Sequence, residues 1–242
     1  MKTTISLLVI AFAANLTLAQ ASGVRSLESF DGQGQLGTVF AEMRKKKAIT
    51  SDLQTVGSIY IDKEFLPCKV YYEDDLVGDF FYRHNAFNDE IEIKDSRSPE
   101  EPESSLLTLK ELRLQDPVGN KELALRVYEN KKGELRNGYL YRLGEGKNYD
   151  IFFKNNVKYT EGTQPANSLV RPTPNKFTHF SEYYYIKKGD KKAKYIEQKT
   201  GKFVKAFDKE LREPLAAYLK KEKINLKKEE DLIKTFDYLN SL

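Results

Sequence analysis

Apolar and polar residues alternate with a period of two over most of this chain, and the alternation is the strongest constraint on its fold. Successive side chains of a β-strand point to opposite faces, so each alternating segment indicates a strand with one buried face. Turns that contain glycine, such as Lys132-Gly133 and Gly144-Glu145-Gly146, separate the segments. The pattern predicts an antiparallel meander of about seven to ten strands. The segments lie at residues 69–72, 77–82, 107–109, 123–127, 139–143, 151–153, 183–186 and 194–196.

Beyond Thr200 the apolar period lengthens to that of an amphipathic helix. Two apolar stripes predict two C-terminal helices, with a boundary or kink just before Pro214, because proline lacks the N–H that a continuous helix uses. The predicted fold class is therefore α+β: an antiparallel, twisted or partly closed β-sheet meander followed by two C-terminal amphipathic helices. The stripes are Phe203, Phe207, Leu211 and Leu215, and Leu232, Ile233, Phe236 and Leu239.

The N-terminus has the order of a secretory signal: Lys2, an apolar core from Ile5 to Leu18, and small residues at Ala19 and Ala21. The core is too short to span a bilayer, which takes roughly 20 residues. We expect cleavage after Ala19 or Ala21, a periplasmic or extracellular location, and no transmembrane segment in the mature chain. The expected organisation is a signal peptide at residues 1–21 and a single domain at 22–242, made of a flexible or helical lead-in (22–52), the β meander (53–198) and the C-terminal helices (199–242).

Charge and cysteine content exclude several classes of function. The 40 Lys and Arg residues nearly balance the 36 Asp and Glu residues, so no nucleic-acid partner is expected. Cys68 is the single cysteine, which excludes an intrachain disulfide and, because it lies far from the signal, a lipoprotein anchor. With only His84 and His179 as further nitrogen ligands, we expect no metal and no other cofactor.

The densest group of polar residues lies within the alternating stretch 79–94. A strand of this length has to bend, and Asn85 and Asn88 tolerate the backbone conformations of a bulge or tight corner. In a regular strand Arg83 and Asp89 share one face. Two interpretations compete: a functional site with Asp89 or Glu90 as base or ligand, or a structural Arg83–Asp89 pair, which we favour because a buried arginine needs a partner. The candidate binding residues are Arg83, Asn85, Asn88, Asp89, Glu90 and Glu92.

Several short motifs resemble a family of uncharacterised exported proteins common in Bacteroidota, especially flavobacteria. The chain departs from that pattern at Ile59, Cys68 and His84, where the family pattern has proline, glycine and tyrosine. The resemblance implies an exported location and the overall architecture, and it implies no activity. The motifs are Gly57-Ser58-Ile59-Tyr60, Glu64-Phe65, Arg83-His84-Asn85, Asn88-Asp89-Glu90-Ile91-Glu92, Glu230-Asp231-Leu232-Ile233 and Tyr238-Leu239-Asn240.

These observations favour a non-catalytic binding or structural module of the cell envelope, with an unidentified envelope partner or ligand. One alternative is a hydrolase that uses carboxylates near Arg83 and Asp89. Another is a periplasmic carrier of lipid or lipoprotein. A filled core favours the binding module, two facing carboxylates in a polar cleft favour the hydrolase, and an apolar cavity favours the carrier.

Overall fold

The computed structural model describes residues 53–117, 121–164 and 171–242, so the predicted signal peptide and lead-in lie outside the described residues. Within the described part, eleven strands are followed by three helices, which confirms the predicted α+β class. The strands are β1 (Thr55–Val56), β2 (Leu66–Tyr72), β3 (Asp75–Asn85), β4 (Glu90–Lys94), β5 (Ser104–Ser105), β6 (Leu112–Gln115), β7 (Glu122–Glu129), β8 (Leu135–Gly144), β9 (Tyr149–Thr160), β10 (Asn175–Lys187) and β11 (Ala193–Tyr195). The helices are α1 (Thr200–Lys205), α2 (Lys209–Lys221) and α3 (Glu229–Ser241).

Five strands close into a small barrel. Strands β7, β8, β9 and β10 are consecutive antiparallel neighbours, and β11 pairs with both β10 and β7. Each strand contributes one buried apolar residue to a common cluster, as expected for a small barrel whose interior is filled by side chains. The five residues are Tyr128, Leu140, Phe152, Tyr184 and Ala193.

Strands β2 to β6 extend the sheet into a wing that packs on the barrel, and β1 pairs in parallel with the start of β10. From β7 the sheet continues through β6, β2, β3 and β4 to the two-residue β5. Val70, Ile91 and Leu114 of the wing are at most 2% exposed and lie in one cluster with Tyr141 and Phe153 of the barrel strands. This cluster covers part of the outer face of the barrel.

The chain reverses direction at the predicted corner. Strand β3 ends at Asn85 and β4 begins at Glu90, and the Asn85 Oδ1 atom accepts the backbone N–H groups of Phe87 and Asn88 at 3.2 Å each. The corner is therefore the turn of a hairpin and not a bend in one strand. Residues paired across a hairpin share a face, so Arg83 lies opposite Glu92.

The predicted C-terminal stripes pack on the sheet, but the first stripe forms two helices. Helix α1 ends at Lys205 and α2 begins after Asp208, whose backbone has a φ of −57° and a ψ of 149°. The Arg212 side chain donates to the carbonyls of Lys205 and Phe207 at 3.1 and 2.9 Å, which satisfies groups that the break leaves open. Pro214 lies inside α2, so the predicted boundary is wrong by about two helical turns.

Helix α3 is fixed to the barrel by burial and by one asparagine. Leu232, Phe236 and Leu239 are at most 1% exposed, in a cluster that also contains Tyr149 of β9. The Asn240 side chain accepts the N–H groups of residues 148 and 149 at 2.8 and 2.7 Å, and donates to the Tyr149 carbonyl at 3.0 Å. The last helix is therefore part of the core.

A chain that ends at Ile224 is expected to lose its folded structure. The truncation removes three fully buried side chains, which contribute roughly 5 to 9 kcal/mol before the entropy of ordering the helix is subtracted. This is comparable with the whole stability of an ordinary domain. Circular dichroism during thermal unfolding measures the loss, and a soluble product with an unchanged midpoint would contradict it.

Candidate functional site

One end of the barrel opens into a cleft of about 610 Å³. On β9 and β10 the inward-facing side chains continue beyond the barrel interior, which ends at the pair Phe152 and Tyr184. The next pair is Lys154 on β9 opposite Glu182 on β10, and the pair after it is Asn156 opposite Phe180. We call this space the mouth cleft. It is lined by Ala86, Phe87, Asn88, Asp89, Tyr128, Leu135, Arg136, Asn137, Lys154, Asn156, Val157 and Phe180.

Asp89 forms the floor of the mouth cleft. It follows the β3–β4 turn with a φ of +58°, which directs its carboxylate toward the barrel. The Lys154 Nζ atom lies 2.7 Å from Oδ2, and the His84 Nε2 atom lies 3.3 Å from Oδ1. The backbone N–H of Tyr139 donates to the same carboxylate at 3.3 Å. Because three donors hold Asp89, its position is fixed by elements of both the wing and the barrel.

Burial and charge set the protonation states at this floor. Desolvation lowers the pKa of His84 below its ordinary value of 6.5, and the charge of Lys154 acts in the same direction. Burial alone would raise the pKa of Asp89, but the hydrogen bond from His84 and the charge of Lys154 hold it below its ordinary value of 3.8. The floor therefore carries a carboxylate and an ammonium group, and a neutral imidazole lies behind the carboxylate.

The neutral imidazole orders a chain of hydrogen bonds. A carboxylate only accepts, so the single N–H of His84 is assigned to Nε2, which faces Asp89. The Nδ1 atom then accepts from the Tyr141 hydroxyl at 3.1 Å, and this hydroxyl also hydrogen-bonds with Tyr82. Burial first, and neighbouring negative groups second, raise the pKa of Tyr141 well above its ordinary value. The chain fixes the orientation of the His84 ring behind Asp89.

Gly138 makes room for this arrangement. A Cβ atom at this position would lie 2.6 Å from the Asp89 Oδ2 atom, 2.8 Å from Tyr128 and 3.1 Å from Lys154. Such approaches are too close for a carbon atom, so a larger residue would displace the ion pair. The sequence shows a glycine at this position, but the need for it follows only from the contact with Asp89, which is distant in the chain.

Arg83 belongs to a separate cluster. Its guanidinium donates to Glu92 at 2.5 and 2.9 Å and to Glu103 at 3.0 Å. It lies over the rings of Tyr60 and Phe65, 3.8 and 4.5 Å from their centroids. The Tyr60 hydroxyl donates to Glu92 at 3.0 Å, which completes the cluster. These contacts hold residues 57–65 against the β3–β4 hairpin.

The predicted candidate residues therefore separate into three groups. The expected Arg83–Asp89 pair is wrong, because the hairpin directs the two side chains to different partners. Asn85 builds the turn, and Glu90 is exposed. Asn88 and Asp89 line the mouth cleft. The sequence analysis did not include His84 or Lys154 in the site. The only signal for Lys154 was its place two residues after the apolar Phe152, which puts both side chains on the same face of the strand.

Cys68 and the histidines form no second centre in the described residues. Burial raises the pKa of the Cys68 thiol to about 12, with the charges of Asp116 and Asp79 adding to the effect. A thiol of this kind is a poor nucleophile. Within residues 53–117, 121–164 and 171–242, no three His, Cys, Asp or Glu side chains are placed to hold a metal ion together.

Comparison with known proteins assigns no relative to this chain: no family model, no curated protein and no solved structure matches it. The resemblance to exported Bacteroidota proteins stays a prediction. Among the described residues, no helix has the length and apolar character needed to cross a membrane.

Asp89→Ala is expected to destabilise the protein by about 3 kcal/mol or more, because it leaves Lys154, which is 4% exposed, buried without its partner. The double variant Asp89→Ala/Lys154→Met should recover most of this loss, since it removes both charges. Urea unfolding of the natural chain, Asp89→Ala, Lys154→Met and the double variant measures the four free energies of unfolding. Asp79→Ala, which breaks the exposed pair with Lys69, is the control and should cost less than about 1 kcal/mol. A double variant as unstable as the sum of the single variants would contradict the pairing.

The stability of the protein is also expected to fall as the pH is lowered below about 6.5. Because the pKa of His84 is depressed in the folded state, the unfolded chain binds the proton more readily, and stability is lost as the pH falls toward the folded pKa. Asp89, whose pKa is also depressed, adds a loss only below about 3.8. Thermal midpoints between pH 8 and pH 5 should fall less in His84→Gln than in the natural chain. Parallel profiles would show that His84 does not carry the effect.

Proposed function

We propose that the protein is an exported, non-catalytic binding module of the cell envelope that holds a saccharide in the mouth cleft. The observation that carries the proposal is the combination of surfaces in this cleft. Apolar groups and aromatic rings, among them Phe87 and Phe180, stand beside side-chain amides and charged hydrogen-bonding groups such as Asn137, Asn156 and Arg136. Sugars present the same combination, with C–H faces that stack on rings and hydroxyls that need donors and acceptors.

The groups at the rim of the cleft are accessible to a ligand. Phe180 is 47% exposed and Leu135, which lines the same cleft, is 61% exposed, so the cleft presents apolar surface to a ligand. The Asn137 side chain is exposed and makes no hydrogen bond within the described residues, so its amide is free to donate and accept. The opposite charges of Asp89 and Lys154 compensate each other on the floor. These features support a hydroxyl-rich ligand whose part on the floor carries no charge.

The state of Asp89 supports a non-catalytic role. Glycoside hydrolysis needs two carboxyl groups placed across the scissile bond, one of them with a raised pKa. Asp89 is the only carboxylate among the described residues that line the cleft, and its pKa is lowered. Glu182 accepts hydrogen bonds from Asn156 at 3.3 Å and from Tyr184 at 3.1 Å and does not line the cleft.

The filled interior of the barrel does not favour the alternative function, a carrier of lipid or lipoprotein. A carrier of lipid or lipoprotein needs an apolar cavity that takes up acyl chains. Tyr128, Leu140, Phe152 and Tyr184 occupy the interior of the barrel, and all four are at most 7% exposed. The space that remains is the open mouth with its polar walls.

Titration calorimetry of the mature protein with oligosaccharides of glucose, xylose, mannose and N-acetylglucosamine tests the proposal. Phe180→Ala and Asn137→Ala should each weaken binding, by about tenfold for the ring, without lowering the thermal midpoint. Tyr72→Ala is the matched control, because Tyr72 is an aromatic residue with 45% exposure that lies outside the cleft.

Two results would contradict the proposal. Binding that Phe180→Ala and Asn137→Ala leave unchanged would exclude the mouth cleft as the site. Release of new reducing ends from a bound oligosaccharide would show a hydrolase instead of a binding module.

A further inference from the structure

A second cleft, of about 460 Å³, lies between residues 57–63 and strand β10. We call it the side cleft. Gly57 shapes it with a φ of +91°, and a Cβ atom there would lie 2.3 Å from the Phe177 carbonyl oxygen. The His179 ring is bonded through Nε2 to the Ser58 carbonyl at 2.6 Å, which ties the two walls together. The side cleft is therefore a defined feature of the fold.

The side cleft is positively charged. Lys63 and Lys176 both line it, both are exposed, and neither has a carboxylate within 4.0 Å among the described residues. The described lining contains no Asp or Glu. In the mouth cleft, by contrast, Asp89 compensates Lys154 at 2.7 Å. Lys63 and Lys176 thus add two positive charges to the lining of a cleft that has no carboxylate among its described residues, and this charge attracts an anion.

The two clefts adjoin at a pair of aromatic rings. Phe87 lines the mouth cleft and Phe177 lines the side cleft. Their rings are in edge-to-face contact, with centroids 5.6 Å apart. Phe180 of the mouth cleft and His179 of the side cleft are also consecutive residues of β10. A ligand longer than one sugar unit that leaves the mouth cleft across this pair reaches the side cleft.

We propose that the side cleft binds an anionic substituent, a carboxylate or a sulfate, of the saccharide held in the mouth cleft, so that the ligand is an acidic oligosaccharide. This inference rests on the proposed function. Lys63 and Lys176 supply the charge, the hydroxyls of Ser58 and Thr178 supply further hydrogen bonds, and Phe177 supplies a ring for stacking.

Two matched ligand pairs test the inference: oligogalacturonate against its methyl ester, and sulfated against unsulfated dextran oligosaccharide. Within at least one pair, the acidic member should bind the mature protein about tenfold more tightly at low salt, and added sodium chloride should remove the difference. The pair that shows the difference identifies the anionic group.

The double variant Lys63→Gln/Lys176→Gln should lose about tenfold in affinity for the acidic member and nothing for the neutral one, because each exposed charge contributes up to about fivefold. Lys220→Gln is the control, since Lys220 is an exposed lysine of α2 that lines neither cleft and has no carboxylate partner among the described residues. A loss of the same size in Lys220→Gln would show unspecific charge attraction and overturn the inference.

The outcomes separate the two proposals. One outcome is that the acidic and neutral members bind equally well, and that Phe180→Ala weakens this binding while the double lysine variant does not. This outcome overturns the inference and leaves the mouth cleft as the site. Another outcome is that only the acidic members bind, and that the double lysine variant weakens this binding while Phe180→Ala does not. This outcome supports an anion site in the side cleft and overturns the proposed function. Binding of neither member of either pair overturns the inference, and the proposed function then depends on the titrations with the neutral oligosaccharides.

Discussion

The pairing of β11 with both β10 and β7 is the constraint on which the rest of the structure depends. Without this three-residue strand the sheet from β7 to β10 would stay open, because among the described strands only β11 pairs with both β7 and β10. Closure brings the rings of Tyr128, Phe152 and Tyr184 into one interior, and Ala193, which is fully buried, is small enough to let β11 approach them. The outer face is then free to receive the helices on one part and the wing on another. The mouth cleft exists because the rows of side chains along β9 and β10 continue beyond this closed ring.

The charged floor of the mouth cleft connects the wing to the barrel. Asp89 comes from the hairpin turn of the wing, whereas Lys154 and the Tyr139 N–H belong to barrel strands. A buried ion pair loses much hydration energy and is favourable only where further hydrogen bonds satisfy its atoms. His84 supplies one such bond, and its ring is fixed from behind by Tyr141. The same contacts that stabilise the junction of wing and barrel therefore also make a rigid floor for a ligand.

The sequence predicts the elements of this fold better than their long-range pairing. Alternation located most of the strands, and the stripes at Phe203 and Leu232 located the helices, because these signals are local. The predicted segment 107–109 is wrong: it lies outside any strand, and the nearby strand is β6 at Leu112–Gln115. A hairpin turn and a bend leave the same local pattern around Asn85, so the pairing of Arg83 with Glu92 had to come from the register of β3 and β4. Lys154 likewise has the appearance of a surface lysine until the barrel closes around it. The candidate site was therefore predicted only at Asn88 and Asp89, the two residues whose turn is encoded locally.

The rigid floor and the exposed rim of the mouth cleft would contribute differently to binding. Ordering a side chain adds to the entropy cost of binding, and Asp89, Lys154 and His84 avoid this cost because their contacts already hold them in place. Exposed side chains such as Phe180 and Asn137 have rotamer freedom to lose, so contacts at the rim contribute less than their area implies. In the proposed complex, the floor would set the depth and orientation of the ligand, and the rim would distinguish one ligand from another. Lys63 and Lys176 lie outside the mouth cleft, where an exposed charge would change the choice of ligand without disturbing the Asp89–Lys154 ion pair.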